Sequence, residues 1–130
     1  MGSDAMTLTF TVQGKPIPLP RSRSAAGKRP YVNAKHPVQA WKSAVWLACY
    51  EEIVRRGWTR PCFTGPVSMF CIIWGSRANA DIDNIFKGIA DALNGTAYAD
   101  DAQITRLSIE RRMADKANPA GAYVEIGEIG

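Results

Sequence analysis

The chain has 130 residues, of which 46% are hydrophobic and 22% are charged, with a formal net charge of +4 at pH 7. This length and composition predict one globular domain, and because no apolar run approaches the roughly 20 residues of a membrane-spanning helix, we expect no membrane partner. The three cysteines include no Cys-x-x-Cys pair, which excludes a disulfide framework or a zinc clasp of that kind and favours a cytoplasmic protein.

The N-terminal part of the chain predicts a short tag followed by a strand. Residues 1–6, Met-Gly-Ser-Asp-Ala-Met, are typical of a tag remnant, and we expect the native start at Met6 and the single domain over 7–130. Leu8 and Val12 belong to an alternation of apolar residues with threonines, which predicts a strand with one wetter face.

A basic, proline-rich segment follows over about 14–37 and contains no acidic residue. Such a composition predicts a loop that cannot bury enough apolar area to hold itself rigid. Its cations repel one another unless an anion joins them, so we expect the segment to bind a phosphate backbone. The candidate DNA-binding residues are Arg21, Arg23, Lys28, Arg29 and Lys35.

Two further elements precede the middle of the chain. Pro37 suits the first turn of a helix, apolar residues recur at helical spacing up to Ile53, and Gly57 provides a stop. The run 67–74 is apolar at both alternating positions, which predicts a central strand covered on both sides.

Residues 84–94 predict a second, amphipathic helix. Its polar stripe carries Lys87, Asp91 and Asn94 in line with Asp83. Asp81 falls outside that stripe, so we expect it on an extended segment before the helix, pointing the same way as Asp83. Strands over about 106–112 and 122–126 complete the prediction, an α+β fold in which two helices pack on a small mixed β-sheet.

Acidic residues are concentrated around this helix. The cluster comprises Asp81, Asp83, Asp91, Asp100 and Asp101. Crowded carboxylates are usually tolerated when a cation or proton lies between them, or when they lie apart in the fold. A helix over 84–94 carries the chain away by roughly 16 Å, and the following seven residues can return up to about 23 Å. A magnesium site is therefore geometrically possible, with the choice between Asp100 and Asp101 left open.

Lys87 lies one helical turn from Asp83, where it could contact a phosphate oxygen that a metal ion also polarises. This combination suits hydrolysis of a phosphodiester without a serine, cysteine or histidine nucleophile. Structural interpretations also exist for each motif: Asp83 as a helix cap, Lys87 with Asp91 as a solvated ion pair, and Asp100-Asp101 as a turn.

The segment 80–104, ADIDNIFKGIADALNGTAYADDAQI, resembles the signature of the RusA family of Holliday-junction resolvases. The resemblance covers D-x-D-N-x-x-K, the following D-A-L, and the D-D-x-Q turn before a hydrophobic residue. It implies metal-binding acids at Asp81, Asp83 and Asp101 and a functional lysine at Lys87. It further implies a homodimer that resolves four-way branched DNA by paired symmetric nicks, with Mg²⁺ as cofactor and Mn²⁺ as a substitute.

Two rival functions stay open from the sequence. One is a related metal nuclease that cuts flaps or replication forks, and the other is a DNA-binding module whose acidic cluster holds a purely structural cation.

Several other side chains have structural or open interpretations. His36 is expected to be a capping or loop residue. Trp41, Trp46 and Trp74 are expected in the core or a dimer interface. Tyr98 could pack over the acidic site or contact DNA.

Overall fold

The computed structural model describes residues 6–20 and 36–129. The elements in chain order are β1 (Thr7–Gln13), α1 (Pro37–Arg56), β2 (Val67–Trp74), α2 (Ile82–Ala92), a 3-10 helix (Asp101–Gln103), β3 (Ile104–Arg112) and β4 (Gly121–Glu128). The predicted α+β fold, with two helices on a small mixed sheet, is confirmed. Within these ranges, no helix is long and apolar enough to cross a membrane.

The four strands form one sheet in the order β1-β4-β2-β3. β4 runs antiparallel to both of its neighbours, whereas β2 and β3 are parallel. A parallel pair needs a crossover connection, and here α2 provides it. Since α2 lies between two parallel strands, the segments before and after it are held at its opposite ends.

Both helices pack on the same face of the sheet. The buried residues of α1 and α2 form one core cluster with alternating strand residues, among them Phe10, Met69 and Val124. On β2, buried and half-buried residues alternate strictly. The prediction that β2 is covered on both sides is therefore wrong for the described residues, because both described helices lie on one face of the sheet.

The ends of α1 follow local sequence signals. His36 precedes the helix, and its Nδ1 accepts a hydrogen bond from the backbone N–H of Val38 at 3.0 Å, which confirms a capping role. Gly57 ends the helix with φ of 69°, a left-handed conformation that favours glycine. Trp41 is buried as expected, whereas Trp46 is 36% exposed. Trp46 is therefore not a core residue, and its alternative position in a dimer interface stays a prediction.

Helix α2 begins two residues earlier than the apolar periodicity indicates, at Ile82. Asp81 has an extended backbone and precedes the helix as expected, but Asp83 lies in the first turn. The two residues therefore do not share an extended segment. The reason is local, since the Asp81 carboxylate accepts the Asp83 N–H and stabilises an earlier start.

Candidate active site

Asp81 is placed by the N-terminus of α2. Its Oδ1 accepts a hydrogen bond from the backbone N–H of Asp83 at 3.0 Å, and its Oδ2 accepts one from the Asn84 side chain at 3.4 Å. The positive end of the helix dipole favours negative charge at this position. The Asp81 side chain thus caps the helix while staying exposed to solvent.

The segment before Asp81 is held by β3. The Arg111 guanidinium donates hydrogen bonds to the backbone carbonyls of Ala78 and Ala80, with a distance of 2.9 Å to Ala78. Arg111 comes from a strand about 30 positions along the chain. Sequence reasoning missed this contact because nothing in the local pattern around Arg111 signals it.

Asp83 and Lys87 form an i,i+4 ion pair on the surface of α2. The distance from Lys87 Nζ to Asp83 Oδ2 is 3.2 Å, and both side chains are more than half exposed. Exposed pairs of this kind contribute only about 0–1 kcal/mol to stability. Both groups therefore remain available to other ligands at little energetic cost.

Asp101 lies beyond the other end of α2. Its backbone N–H donates to the Asn94 side chain at 2.8 Å, which ties the 3-10 helix to the end of α2. Gln103 holds the same segment: its Oε1 accepts from the N–H groups of Ala99 and Asp100 at 2.9 and 3.1 Å. Its Nε2 donates to the carbonyls of Phe63 and Gly65 at 2.9 and 3.0 Å.

An open groove of about 720 Å³ runs along the face of α2 towards β3. We call it the α2–β3 groove, and its charged lining residues are Lys42, Lys87, Asp91, Asp101 and Arg106. The apolar walls include Phe86 and Leu107. Lys87 and Asp101, two of the residues predicted from the sequence, thus share one concave surface.

Lys42 is a groove residue that the sequence analysis missed. It extends from α1 and forms an ion pair with Asp91 of α2. The sequence interpretation instead paired Asp91 with Lys87 along one helix. In the structure Lys87 pairs with Asp83, and the Asp91 pair joins two helices.

Asp81 borders a second cavity of about 400 Å³, lined also by His36, Arg77 and Asn84. In the described parts of the chain, no group of three His, Cys, Asp or Glu side chains is placed to hold a metal ion. The donor chemistry nevertheless suits Mg²⁺, because carboxylate oxygens are its preferred protein ligands. Assignment of metal binding to Asp81, Asp83 and Asp101 therefore stays a prediction.

Tyr98 is fully buried beside this region, and its hydroxyl donates to the Ala90 carbonyl at 2.7 Å. Burial raises the pKa of the Tyr98 phenol well above its ordinary value, and the negative charge of Asp101 raises it further. The phenol stays a neutral hydrogen-bond donor. Of the two interpretations of Tyr98, packing is therefore correct and DNA contact is not.

The predicted DNA-binding residues Arg21, Arg23, Lys28, Arg29 and Lys35 all fall in 21–35, outside the described residues. The described chain reaches the edge of that segment at Leu19 and Pro20, which line the α2–β3 groove. The backbone N–H of Leu19 donates to the Asn84 carbonyl at 3.1 Å, so the basic segment departs from beside α2.

The protein is thus an α+β domain with a groove beside α2. Carboxylate and cationic side chains both line this groove. The profile of the family described as endodeoxyribonuclease RusA matches residues 13–127. The chain belongs to the RusA endodeoxyribonuclease family, as the sequence motif predicted.

Comparison with individual proteins adds little to the family assignment. None of the curated proteins matches the chain. Among solved structures, a candidate endoribonuclease from Shewanella oneidensis MR-1 is 12% identical, with a TM-score of 0.47, over 85% of this chain and 91% of that one.

Proposed function

We propose that this nuclease is a Mg²⁺-dependent, structure-specific endodeoxyribonuclease that resolves Holliday junctions by paired symmetric nicks, in DNA recombination and repair. Membership of the RusA family over residues 13–127 is the observation that carries the proposal. The α2–β3 groove supports it, because it brings Lys87 and Asp101 to one surface beside the start of the basic segment.

Asp81, Asp83 and Asp101 are the residues that would hold Mg²⁺ or Mn²⁺. When bound, the ion supplies charge neutralisation at a phosphate oxygen and lowers the pKa of a water. Since Asp83 and Lys87 are exposed and only weakly paired, the Asp83 carboxylate can exchange its lysine partner for a cation without disturbing the core.

Lys87 has the role of stabilising charge on the scissile phosphate. Its ammonium group lies on the groove surface and reaches 3.2 Å from Asp83, so it can neutralise a non-bridging oxygen as the phosphorus becomes five-coordinate. Lys42 and Arg106 line the same groove and would hold neighbouring phosphates of the strand. Asp91 orients Lys42 through their ion pair.

The basic segment supplies the remaining phosphate contacts in this proposal. Arg21, Arg23, Lys28, Arg29 and Lys35 would contact the arms of the junction as the chain leaves Pro20. A homodimer would present two such sites to the two equivalent strands of a four-way junction, since two-fold symmetry suits a substrate with paired cleavage positions.

The decisive experiment compares a synthetic four-way junction, a replication fork and a linear duplex under one salt condition. We expect symmetric nicks in the junction with Mg²⁺ or Mn²⁺, and binding without nicks with Ca²⁺. Preferential cutting of forks or flaps would instead support a nuclease of different structural preference. Junction binding without any cutting in Mg²⁺ would support a DNA-binding module with a structural cation.

A further inference from the structure

Helix α1 carries a pair of aromatic side chains on its solvent side. The rings of Trp46 and Tyr50 stack with centroids 4.9 Å apart and an interplanar angle of 9°. The Arg60 guanidinium lies over the Tyr50 ring, 4.8 Å from its centroid. We call these three side chains the α1 aromatic surface. Trp46 is 36% exposed there, although tryptophan is highly buried on average.

The Trp46 indole is held in a fixed position. Its Nε1 donates a hydrogen bond to the Thr96 hydroxyl at 3.1 Å, and Thr96 is buried in the turn that follows α2. Tyr50 stacks on one face of the indole, so the exposed area lies on the other face and the edges. A fixed aromatic ring with an open face can bind a flat ligand with little further loss of side-chain entropy.

The α1 aromatic surface continues from the α2–β3 groove. Lys42 lines that groove and lies one helical turn before Trp46, on the same side of α1. From Lys42 to Tyr50 the helix rises roughly 12 Å. This length matches about three to four nucleotides of a stacked strand, which rises about 3.4 Å per nucleotide. A strand that leaves the groove beside Lys42 would therefore reach Trp46 within a few nucleotides.

Charge around this surface favours a nucleic-acid strand. Lys42 lies at one end of the aromatic pair and Arg60 at the other, so a cation flanks the pair on each side. Asp91 is paired with Lys42, and Glu52 is paired with two arginines of α1. Glu51 is next to the tyrosine in sequence and so points about 100° away around the helix. Proteins that bind single strands combine cations for the phosphates with aromatic rings for the bases, which is the arrangement on α1.

We infer that the α1 aromatic surface binds unpaired nucleotides of the DNA substrate, with a base stacked on Trp46 and a phosphate on Arg60. The inference deepens the proposed function, on which it rests for the DNA substrate. A base inside a duplex already stacks on its neighbours, whereas an unpaired base gains a partner on Trp46. The surface therefore favours branched DNA with unpaired nucleotides beside the exchange point over linear duplex.

Binding of a single-stranded thymine oligonucleotide tests the inference. Fluorescence anisotropy without metal, at one fixed salt concentration, measures the affinity, since the affinity depends on salt. Trp46→Leu and Trp46→Phe form a matched pair, because both lose the hydrogen bond to Thr96 and only phenylalanine keeps an aromatic face. We expect Trp46→Leu to weaken binding by about tenfold or more and Trp46→Phe by less than about threefold.

Two further variants complete the test. Arg60→Gln leaves the hydrogen bond to Thr96 in place and should weaken oligonucleotide binding, because a phosphate contact is lost. Leu47→Ala is the control, since Leu47 is 49% exposed beside Trp46 and has no aromatic face, so it should bind like the wild-type protein. Melting temperatures show whether each variant folds.

A wild-type protein that does not bind the oligonucleotide would overturn the inference. That result would leave Trp46 and its exposed neighbours Leu47 and Val54 to a protein partner, a second copy of the chain included. Equal losses in Trp46→Leu and Trp46→Phe would also overturn it, because the lost hydrogen bond to Thr96 would explain both. Undiminished binding in Trp46→Leu and Arg60→Gln would place the strand elsewhere.

Junction nicking is measured separately from oligonucleotide binding. Binding that depends on Trp46, in a protein that nicks no DNA, would contradict the proposed function alone. Symmetric nicking of the junction by a protein whose oligonucleotide binding ignores Trp46→Leu would contradict the inference alone.

Discussion

Asp81 combines two roles that substitution can separate. Asparagine caps a helix about as well as aspartate, so Asp81→Asn should keep the hydrogen bond to the Asp83 N–H and change stability by less than about 1 kcal/mol. Loss of the negative charge should lower junction nicking by at least about 100-fold if the carboxylate binds the catalytic cation. Junction binding should persist or tighten, because a negative charge near phosphate is removed.

Thermal unfolding, gel-shift binding and nicking measure the three expectations for Asp81→Asn. Asp81→Ala provides the comparison, since it also removes the cap and should cost about 1 kcal/mol. Unfolding of Asp81→Asn would favour a structural cation, and full nicking activity would remove Asp81 from the reaction.

Substitution of Lys87 can test its proposed catalytic role with little effect on folding, because the side chain is exposed. Lys87→Met keeps the length of the side chain and removes an exposed ion pair, so stability should change by less than about 1 kcal/mol. Nicking should fall about 100-fold or more, because charge on the scissile phosphate is no longer neutralised. The measurement is single-turnover nicking at saturating protein, with exposed Lys116→Met as the control. Equal rates for the two variants would refute a catalytic role.

At the scale of elements, the segment before β3 depends on one amide side chain. Gln103 makes four hydrogen bonds, to Ala99, Asp100, Phe63 and Gly65, and so connects the Asp101 segment to the loop before β2. Gln103→Met should destabilise the protein by about 2 kcal/mol, because part of this hydrogen bonding is shielded from water. Nicking should fall as well, since Asp101 is no longer held.

Chemical denaturation measures the effect of Gln103→Met, and Gln13→Met on exposed β1 is the matched control. If both variants unfold at the same denaturant concentration, Gln103 does not hold the Asp101 segment. The D-D-x-Q motif thus contains a structural residue as well as the acid that the resemblance assigns to metal binding.

At the scale of the whole molecule, we expect the folded state to lose stability at high pH, because several titrating side chains are buried. Burial raises the pKa of the Cys71 thiol to about 12 and that of Cys49 also to about 12, from 9.0. Thiols of the unfolded chain ionise above about pH 9 while the folded thiols stay neutral. The stability present below pH 9 is therefore lost as pH rises from 9 towards 12, and Tyr98 adds to the loss.

Melting temperatures between pH 8 and about pH 11 measure this decline. Cys71→Val replaces the buried thiol by an apolar side chain of similar size, so its decline should be shallower than that of the wild-type protein. A parallel decline in both proteins would show that ionisation of Cys71 does not contribute.

The local sequence pattern was sufficient to predict most of the helices and strands and the position of part of the candidate site. The stop at Gly57 and the polar stripe carrying Lys87 and Asp91 followed from sequence spacing, because periodicity and capping depend on neighbours within a few residues. The start of α2 was misplaced by two residues, since the capping bond made by Asp81 extends the helix beyond its apolar pattern. The motif in residues 80–104 was also sufficient to predict the family.

Long-range packing decided the rest. Lys42 forms an ion pair with Asp91, and Arg111 donates hydrogen bonds to the segment before Asp81. Both contacts join residues that are far apart in the chain, so no local pattern encodes them. The same holds for the cavities that Asp81 and Asp101 line, since each cavity is formed by elements that are distant in the sequence. Sequence by itself determined most of the helices and strands and the family to which the chain belongs. Only the tertiary structure decided which side chains meet, because a contact between distant residues depends on how whole elements pack.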